Sequence, residues 1–365
     1  MRYLLLMVLA TVLVCGGCSN VSASTDAGYT DVDSDTDTDT DTDTDTGPVE
    51  CDLGEYIGDF KIETQSDVAI LAGYTSISGG LTINCPSCND LSELICLNSV
   101  GVDLRIWGNY NLSNLDGLDG ITSVGGSLWI EENHALTNLA GLSGVASLSG
   151  DVGIYSNVVL TNMDGLGSIT SVGGLLAICN NATLADLAGL SALTTVGGPL
   201  QISENAALTN LDGLSALTSV AGGVYIDDNV TLTNIDGLSA ITSVGGDLLI
   251  DGNDVLTNVD GLSGITSVGW ILYIIWSDSL TNLDGLNALT SVGEGLFISW
   301  NSALANLDGL SGITSVGEDF DIYWNPVLPD CEACDLLDQI TTGPSSIDVF
   351  SNLDDACTPV PTSCP

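Results

Sequence analysis

The sequence predicts an all-β solenoid with coils of 24 residues and cysteine-rich caps. Three observations support this fold class: a strict internal repeat, a hydrophobic pattern that changes period within each unit, and cysteines concentrated outside the repeats. Self-similarity at a fixed period of about 20 to 50 residues is typical of solenoids, because each repeat buries its apolar side only against its neighbours.

The repeat is marked by a leucine that opens each of nine units, and each step is 24 residues without insertion. These leucines are Leu112, Leu136, Leu160, Leu184, Leu208, Leu232, Leu256, Leu280 and Leu304. We therefore expect residues 112–328 to form nine solenoid repeats, with Leu328 at the start of the tail.

The unit 232–255 shows how one coil is expected to run. Its apolar residues first recur at steps of three, from Leu232 to Val244, which suits turns and 3₁₀ segments. The step then changes to two, and this alternation predicts a short strand with Leu248 and Ile250 pointing inward. Strands of successive coils are expected to pair in parallel at about 4.8 Å.

Two stretches resemble known repeat families. Residues 248–259, LLIDGNDVLTNV, resemble leucine-rich repeats, and residues 208–220, LTNLDGLSALTSV, resemble the receptor L-domain family. The resemblance covers about residues 75–328 and implies a right-handed parallel β-helix. Growth-factor binding is not carried over, because the chain shows no long cysteine-rich module.

Polar residues also recur with the repeat. An asparagine column is interrupted only by Ser277 and consists of Asn133, Asn157, Asn181, Asn205, Asn229, Asn253, Asn301 and Asn325. We expect these amides to satisfy backbone groups of turns and not to bind a ligand. The Asp-Gly pairs, such as Asp212-Gly213 and Asp284-Gly285, are expected to form turns in which glycine adopts a positive φ.

The N-terminal segment predicts export. Residues 1–17 combine Arg2 with an apolar core and small residues, as in a signal peptide. Gly16-Gly17-Cys18 resembles the lipobox of bacterial lipoproteins, which implies a lipidated Cys18 and a lipid anchor in the membrane; ordinary secretion is the alternative. Residues 18–50 carry an Asp-Thr run and are expected to form a disordered tether. We therefore expect a secreted protein, anchored to the bacterial outer membrane or cell surface.

The cysteines flank the repeats and indicate stapled caps, since a solenoid's terminal coils have no neighbour to cover them. The N-terminal cap, residues 51–111, includes degenerate coils, among them one with a strand at Leu81 to Ile83. The C-terminal cap comprises residues 329–365. Four cysteines lie in each cap: Cys51, Cys85, Cys88 and Cys96, then Cys331, Cys334, Cys357 and Cys364. In an exported chain we expect disulfides, with zinc at the CxxC pairs as the alternative.

The charge of the chain excludes nucleic acid as a partner. There are 48 acidic residues against three basic ones, and the net charge is −45. Binding phosphates requires clustered Lys and Arg, which the chain lacks.

Aromatic residues in the last coils form the candidate binding site. They occupy positions that vary from unit to unit, and three tryptophans stand one coil apart. The set comprises Trp270, Tyr273, Trp276, Phe297, Trp300, Tyr323 and Trp324. Exposed aromatic rings of this kind predict a surface that recognises a protein or a glycan. The alternative is that the C-terminal cap covers the rings, which would favour a structural envelope spacer with no defined ligand.

Aspartates in the middle coils are a second, weaker candidate. Asp227, Asp228 and Asp251 would lie on neighbouring strands and could hold Ca²⁺, the one cofactor considered. Asp227 and Asp251 could also act as acid and base in a β-helix enzyme acting on polysaccharides. We expect no enzyme, because the chain lacks the Lys and Arg residues that polyuronate lyases use and its single histidine, His134, is expected on the surface.

Overall fold

The computed structural model describes residues 49–353 and confirms a solenoid of parallel strands. The chain divides into two units, Met1–Glu50 and Cys51–Pro365, and the second unit contains the solenoid. The predicted signal peptide, Cys18, all but the last two residues of the predicted tether, and Cys357 and Cys364 lie outside the described residues.

Two parallel sheets run along the solenoid, and each coil except the last, which adds only β25, contributes one strand to each sheet. The short-strand sheet has 12 strands. They are β1 (Gly54–Tyr56), β3 (Tyr74–Ile77), β5 (Ser99–Val100), β7 (Ser123–Val124), β9 (Ser147–Leu148), β11 (Ser171–Val172), β13 (Thr195–Val196), β15 (Ser219–Val220), β17 (Ser243–Val244), β19 (Ser267–Val268), β21 (Ser291–Val292) and β23 (Ser315–Val316).

The long-strand sheet has 13 strands and carries the candidate site. They are β2 (Phe60–Ile62), β4 (Leu81–Ile83), β6 (Leu104–Trp107), β8 (Leu128–Glu131), β10 (Val152–Tyr155), β12 (Leu176–Cys179), β14 (Leu200–Ser203), β16 (Val224–Asp227), β18 (Leu248–Asp251), β20 (Ile271–Ile275), β22 (Gly295–Ser299), β24 (Asp319–Tyr323) and β25 (Ser346–Phe350).

The register of the long-strand sheet follows the sequence repeat. Leu248 pairs with Val224 on one side and with Leu272 on the other, each at the same position of its coil. Leu248 and Ile250 are fully buried, as the two-residue alternation predicts. The buried aliphatic side chains form one continuous core along the solenoid.

A 3₁₀ helix of three residues precedes most of the short strands. These helices are Ser92–Leu94, Ala140–Leu142, Asp164–Leu166, Ala188–Leu190, Asp212–Leu214, Asp236–Leu238, Asp260–Leu262, Asp284–Leu286 and Asp308–Leu310. The prediction of a positive φ at Gly213 and Gly285 is wrong, because both lie inside these helices. Glycine is required there for a different reason: a Cβ on Gly213 would collide with the carbonyl oxygen of Leu187, one coil earlier.

The asparagine column is a buried hydrogen-bonded ladder, as predicted. Asn205 shows the pattern: its Nδ2 donates to the carbonyl oxygen of Ile178 at 2.8 Å. The backbone N–H of Asn205 donates to Oδ1 of Asn229 on the next coil at 3.1 Å. An asparagine that is followed by another one coil later, such as Asn205, thus ties three coils together.

The N-terminal cap contains disulfides and a short helix. Cys51 is bonded to Cys96, and Cys85 is bonded to Cys88, so this CxxC pair is not a zinc site. Helix α1 (Gln65–Leu71) begins with a capping box in which the Asp67 carboxylate accepts from the Thr64 backbone N–H at 2.7 Å.

The C-terminal cap begins as one more coil, which the sequence pattern did not indicate. Helix α2 (Asp330–Gln339) carries Cys331 and Cys334, both disulfide-bonded, and β25 then adds a further strand to the long-strand sheet. This coil was missed because its Asn352 takes the ladder position 27 residues after Asn325, outside the 24-residue period.

Within the described residues, no helix has the length and hydrophobicity that crossing a bilayer demands.

Candidate binding surface

Three tryptophans occupy one turn position in three consecutive coils. Trp276, Trp300 and Trp324 each follow the end of a strand of the long-strand sheet, namely β20, β22 and β24. Their φ angles are 53°, 62° and 56°, so all three lie in the left-handed region. The same position in the other coils also has positive φ and carries residues such as Asn180, Asp228 and Gly252.

The left-handed conformation disfavours a tryptophan. Asparagine, aspartate and glycine adopt it readily, whereas a bulky side chain costs roughly 1 to 2 kcal/mol there. Backbone preference alone therefore does not select tryptophan at this position. Such outliers cluster at ligand-binding sites, where the side chain itself is needed.

The three indole rings contact one another in sequence. Trp276 and Trp300 are stacked, with ring centroids 4.5 Å apart and 6° between their planes. Trp324 then meets Trp300 edge to face, at 3.8 Å and 72°. Among the described residues Nε1 of Trp300 has no hydrogen-bond partner, so stacking and not hydrogen bonding holds this ring. Trp276 is 44% exposed and Trp324 is 40% exposed.

The rings border an open cavity. It has a volume of about 410 Å³ and is lined by Trp276, Asp278, Trp300, Ser302, Trp324, Pro326 and Ser351. The Ser302 hydroxyl donates to the Asp278 carboxylate at 2.5 Å, which places an acid and a hydroxyl beside the aromatic wall. We call the three tryptophans together with Asp278 and Ser302 the tryptophan surface.

The C-terminal cap touches this surface without covering it, as far as the described residues extend. Phe350 of β25 stacks on Tyr323 at 4.9 Å and meets Trp324 edge to face at 6.3 Å. Trp324 nevertheless keeps its exposure. Phe350 is a member of the aromatic group that the sequence did not reveal, because it lies beyond the regular repeat.

Tyr323 meets Trp324 edge to face at 5.9 Å, whereas the other three predicted aromatic residues lie apart from the tryptophan surface. Tyr273 and Phe297 stack on neighbouring strands at 5.0 Å, but Phe297 is only 9% exposed. Trp270 is 54% exposed and precedes β20, at the opposite end of the strand from Trp276. The seven residues thus do not form one ladder. The tryptophan surface is the most exposed continuous part of this group.

The middle aspartates lie on adjacent strands as predicted. Asp227 pairs in register with Asp251, and Ser203 donates to the Asp227 carboxylate at 2.6 Å. Asp227 is only 3% exposed, and burial raises the pKa of both Asp227 and Asp251 to about 7. In the described part of the chain, no group of three or more His, Cys, Asp or Glu side chains is arranged to hold a metal ion.

The N-terminal coils show the chain's only arginine–tryptophan contact among the described residues. The Arg105 guanidinium lies 5.4 Å from the ring centre of Trp107. Its Nη2 and Nε atoms donate to one carboxylate oxygen of Glu131, on the next coil, at 2.7 and 3.1 Å. His134 lies on the surface, with its ring 5.2 Å from that of Tyr110.

A scan of the chain against protein-family models finds no match, and a search among curated proteins finds none either. The candidate site therefore rests on its geometry alone.

Proposed function

We propose that the protein is a cell-surface binding or adhesion module that recognises a protein or a glycan through the tryptophan surface. One observation carries the proposal: Trp276 is stacked on Trp300, both stand on left-handed backbone, and Trp276 remains 44% exposed. An exposed aromatic ring on a backbone conformation that costs free energy is best explained by a ligand that contacts it.

The architecture supports this role. In a solenoid the invariant residues fill the core, and the variable outward positions remain available for recognition. The proposal includes a right-handed coil, in keeping with the handedness of nearly all parallel crossover connections. It also includes membership of the receptor L-domain or leucine-rich-repeat type of fold.

The proposed location follows from the sequence of the N-terminal segment. Export through residues 1–17, a lipid anchor on Cys18 and a tether over residues 18–50 would hold the solenoid at the outer membrane or cell surface. Disulfides such as Cys51–Cys96 are in keeping with an oxidising compartment.

The structural spacer is the second candidate. It would be favoured if the cap covered the rings, and the exposure of Trp276 and Trp324 supports binding instead. A polysaccharide-acting enzyme is a third and weaker candidate, since it rests only on the register pairing of Asp227 with Asp251.

The test compares ring-removing variants of the full-length chain. Wild type, Trp276→Ala and Trp300→Ala are applied to an array of bacterial and host glycans and to immobilised cell-surface proteins. We expect each variant to lose most of the binding of the wild type, because Trp276→Ala removes the exposed ring and Trp300→Ala removes the ring on which it stacks. Tyr110→Ala removes a different ring that is also exposed and serves as the matched control. Binding that survives in both tryptophan variants would contradict the proposal.

A further inference from the structure

The aromatic column begins next to a glycine. Asp228, Gly252 and Trp276 occupy the same turn position in three consecutive coils, and Gly252 has a φ of 61°. One face of the Trp276 ring is covered by Trp300 at 4.5 Å. On the other side, the preceding coil presents only Gly252, which has no side chain to cover the ring. The second face of Trp276 is therefore open.

A carboxylate lies on the far side of this opening. Oδ1 of Asp228 lies so close to Gly252 that a Cβ on Gly252 would collide with it. Coils of parallel strands are about 4.8 Å apart, so the backbone of Asp228 lies about 10 Å from that of Trp276. The Asp228 carboxylate reaches from the far side over Gly252 into this interval, so a planar donor stacked on the indole face would lie beside it.

Two more carboxylates belong to the same two turns. Asp254 and Asp278 stand two residues after Gly252 and Trp276, and both are exposed. Burial and the negative charge of Asp254 raise the pKa of Asp228. None of the three aspartates has a basic partner in the described ion pairs, which involve only Lys61 and Arg105. The opening is therefore strongly negative.

A contact elsewhere in the chain shows how a guanidinium binds near a tryptophan and a carboxylate. Arg105 lies near the ring of Trp107 and donates two hydrogen bonds to Glu131 on the neighbouring coil. A tryptophan, a carboxylate one coil away and a guanidinium near both thus form a compatible unit on this solenoid. At Trp276 the ring and the carboxylates are present, and the described ion pairs place no Lys or Arg beside them.

We propose that the open face of Trp276 and the carboxylates of Asp228, Asp254 and Asp278 bind an arginine side chain from a basic segment of a protein partner. This inference rests on the proposed binding function and names the partner's chemistry. A guanidinium is planar, stacks on an indole face and donates to carboxylates in a fixed fork, which the compact ammonium of lysine cannot do. A neutral glycan would leave the three carboxylates without compensation, whereas a basic segment complements the net charge of −45.

The experiment uses the full-length chain and three short peptides of glycine and serine that differ at two positions. These positions carry arginine, lysine or citrulline, the neutral isostere of arginine. Binding is followed by calorimetry and by tryptophan fluorescence at low and at high salt. We expect the arginine peptide to bind at least about tenfold more tightly than the citrulline peptide, and several-fold more tightly than the lysine peptide.

Two variants locate the site. Trp276→Ala removes the ring, and Asp228→Asn removes the carboxylate beside Gly252 while keeping a residue that the left-handed turn accepts, as Asn180 shows at the same position. Each should weaken binding of the arginine peptide by about tenfold. Asp260→Asn lies on a 3₁₀ helix and removes the same charge from a remote place, so it should leave binding unchanged. Far-ultraviolet circular dichroism and melting temperature check that each variant is folded.

Other outcomes would overturn the inference. Equal binding of the arginine and lysine peptides, with no effect of Trp276→Ala, would show only the attraction of a polyanion for cations. Glycan binding that depends on Trp276, without any arginine preference, would refute the inference and leave the proposed function standing. Failure of the peptides, glycans and cell-surface proteins alike to bind would refute both.

Discussion

Trp276 and Trp300 stand at the same turn of consecutive coils, and their indole planes are within 6° of parallel at a centroid distance of 4.5 Å. This distance is close to the spacing of about 4.8 Å between parallel strands. The solenoid therefore sets the ring separation, and any aromatic pair at this turn position is brought to stacking distance. Because the repeat fixes the backbone, aromatic residues that are 24 positions apart in the sequence lie side by side on consecutive coils.

The tryptophan surface should contribute little to folding. We predict that Trp276→Gly changes the free energy of unfolding by less than about 1 kcal/mol, because relief of the left-handed strain offsets the lost stacking. Gly252 shows that glycine is accepted one coil earlier. Chemical denaturation of the two proteins measures the difference. A loss of more than about 3 kcal/mol would instead assign the ring to the structural core.

The asparagine ladder should be essential for stability. Asn205→Ala removes the acceptor for the backbone N–H of Asn181 and the donor for the carbonyl oxygen of Ile178. Because these groups are buried, we expect a loss of about 3 kcal/mol in the free energy of unfolding. Asn210→Ala, at a partly exposed asparagine outside the ladder, is the control and should cost less than about 1 kcal/mol. Equal effects of the two substitutions would contradict a special role of the ladder.

The one interruption of the ladder offers a stabilising substitution. The backbone N–H of Ser277 donates to Oδ1 of Asn301 at 3.2 Å. The Ser277 hydroxyl donates only to the carbonyl oxygen of Ile275, at 3.3 Å. Ser277→Asn should restore the bonds that Asn301 makes one coil later and raise the free energy of unfolding by about 1 kcal/mol. The melting temperature tests this, with Ser277→Ala as a variant that should not be stabilised. A lower melting temperature for Ser277→Asn would show that this turn cannot hold the larger side chain.

Stability should fall as the pH rises from about 4 to about 7. In the folded protein burial raises the pKa of Asp227 and of Asp251 from 3.8 to about 7. The folded state therefore keeps protons that the unfolded state has released over this range, and raising the pH favours unfolding. Above about pH 7 this contribution becomes constant.

The Asp227→Asn/Asp251→Asn double variant isolates this effect. It should be more stable than the wild type at pH 8 and should show a smaller change in melting temperature between pH 4.5 and pH 8. The exposed pair Asp236→Asn/Asp260→Asn controls for the change in net charge. An identical pH dependence in wild type and the Asp227/Asp251 variant would show that these carboxylates titrate normally.

The repeat made the coil predictable in detail. Alternation of apolar residues placed Leu248 and Ile250 in the core, and the displaced strand at Leu81–Ile83 was found although its spacing is irregular. The strand β25 could not be found, because its ladder asparagine follows at 27 residues. The role of Gly213 was also misjudged, because the close approach of the preceding coil has no sequence signal other than the glycine itself.

The sequence by itself determined the architecture of this protein. Its leucines, asparagines and glycines recur at one spacing, and burial of a repeated apolar face against its own copies has one simple solution, a stack of parallel coils. Only the tertiary structure decided which aromatic residues meet and which remain exposed. Ring exposure depends on neighbours from other coils, such as Gly252 before Trp276 and Phe350 beside Trp324. These contacts arise from coil-to-coil packing, which the order of residues within one repeat does not encode.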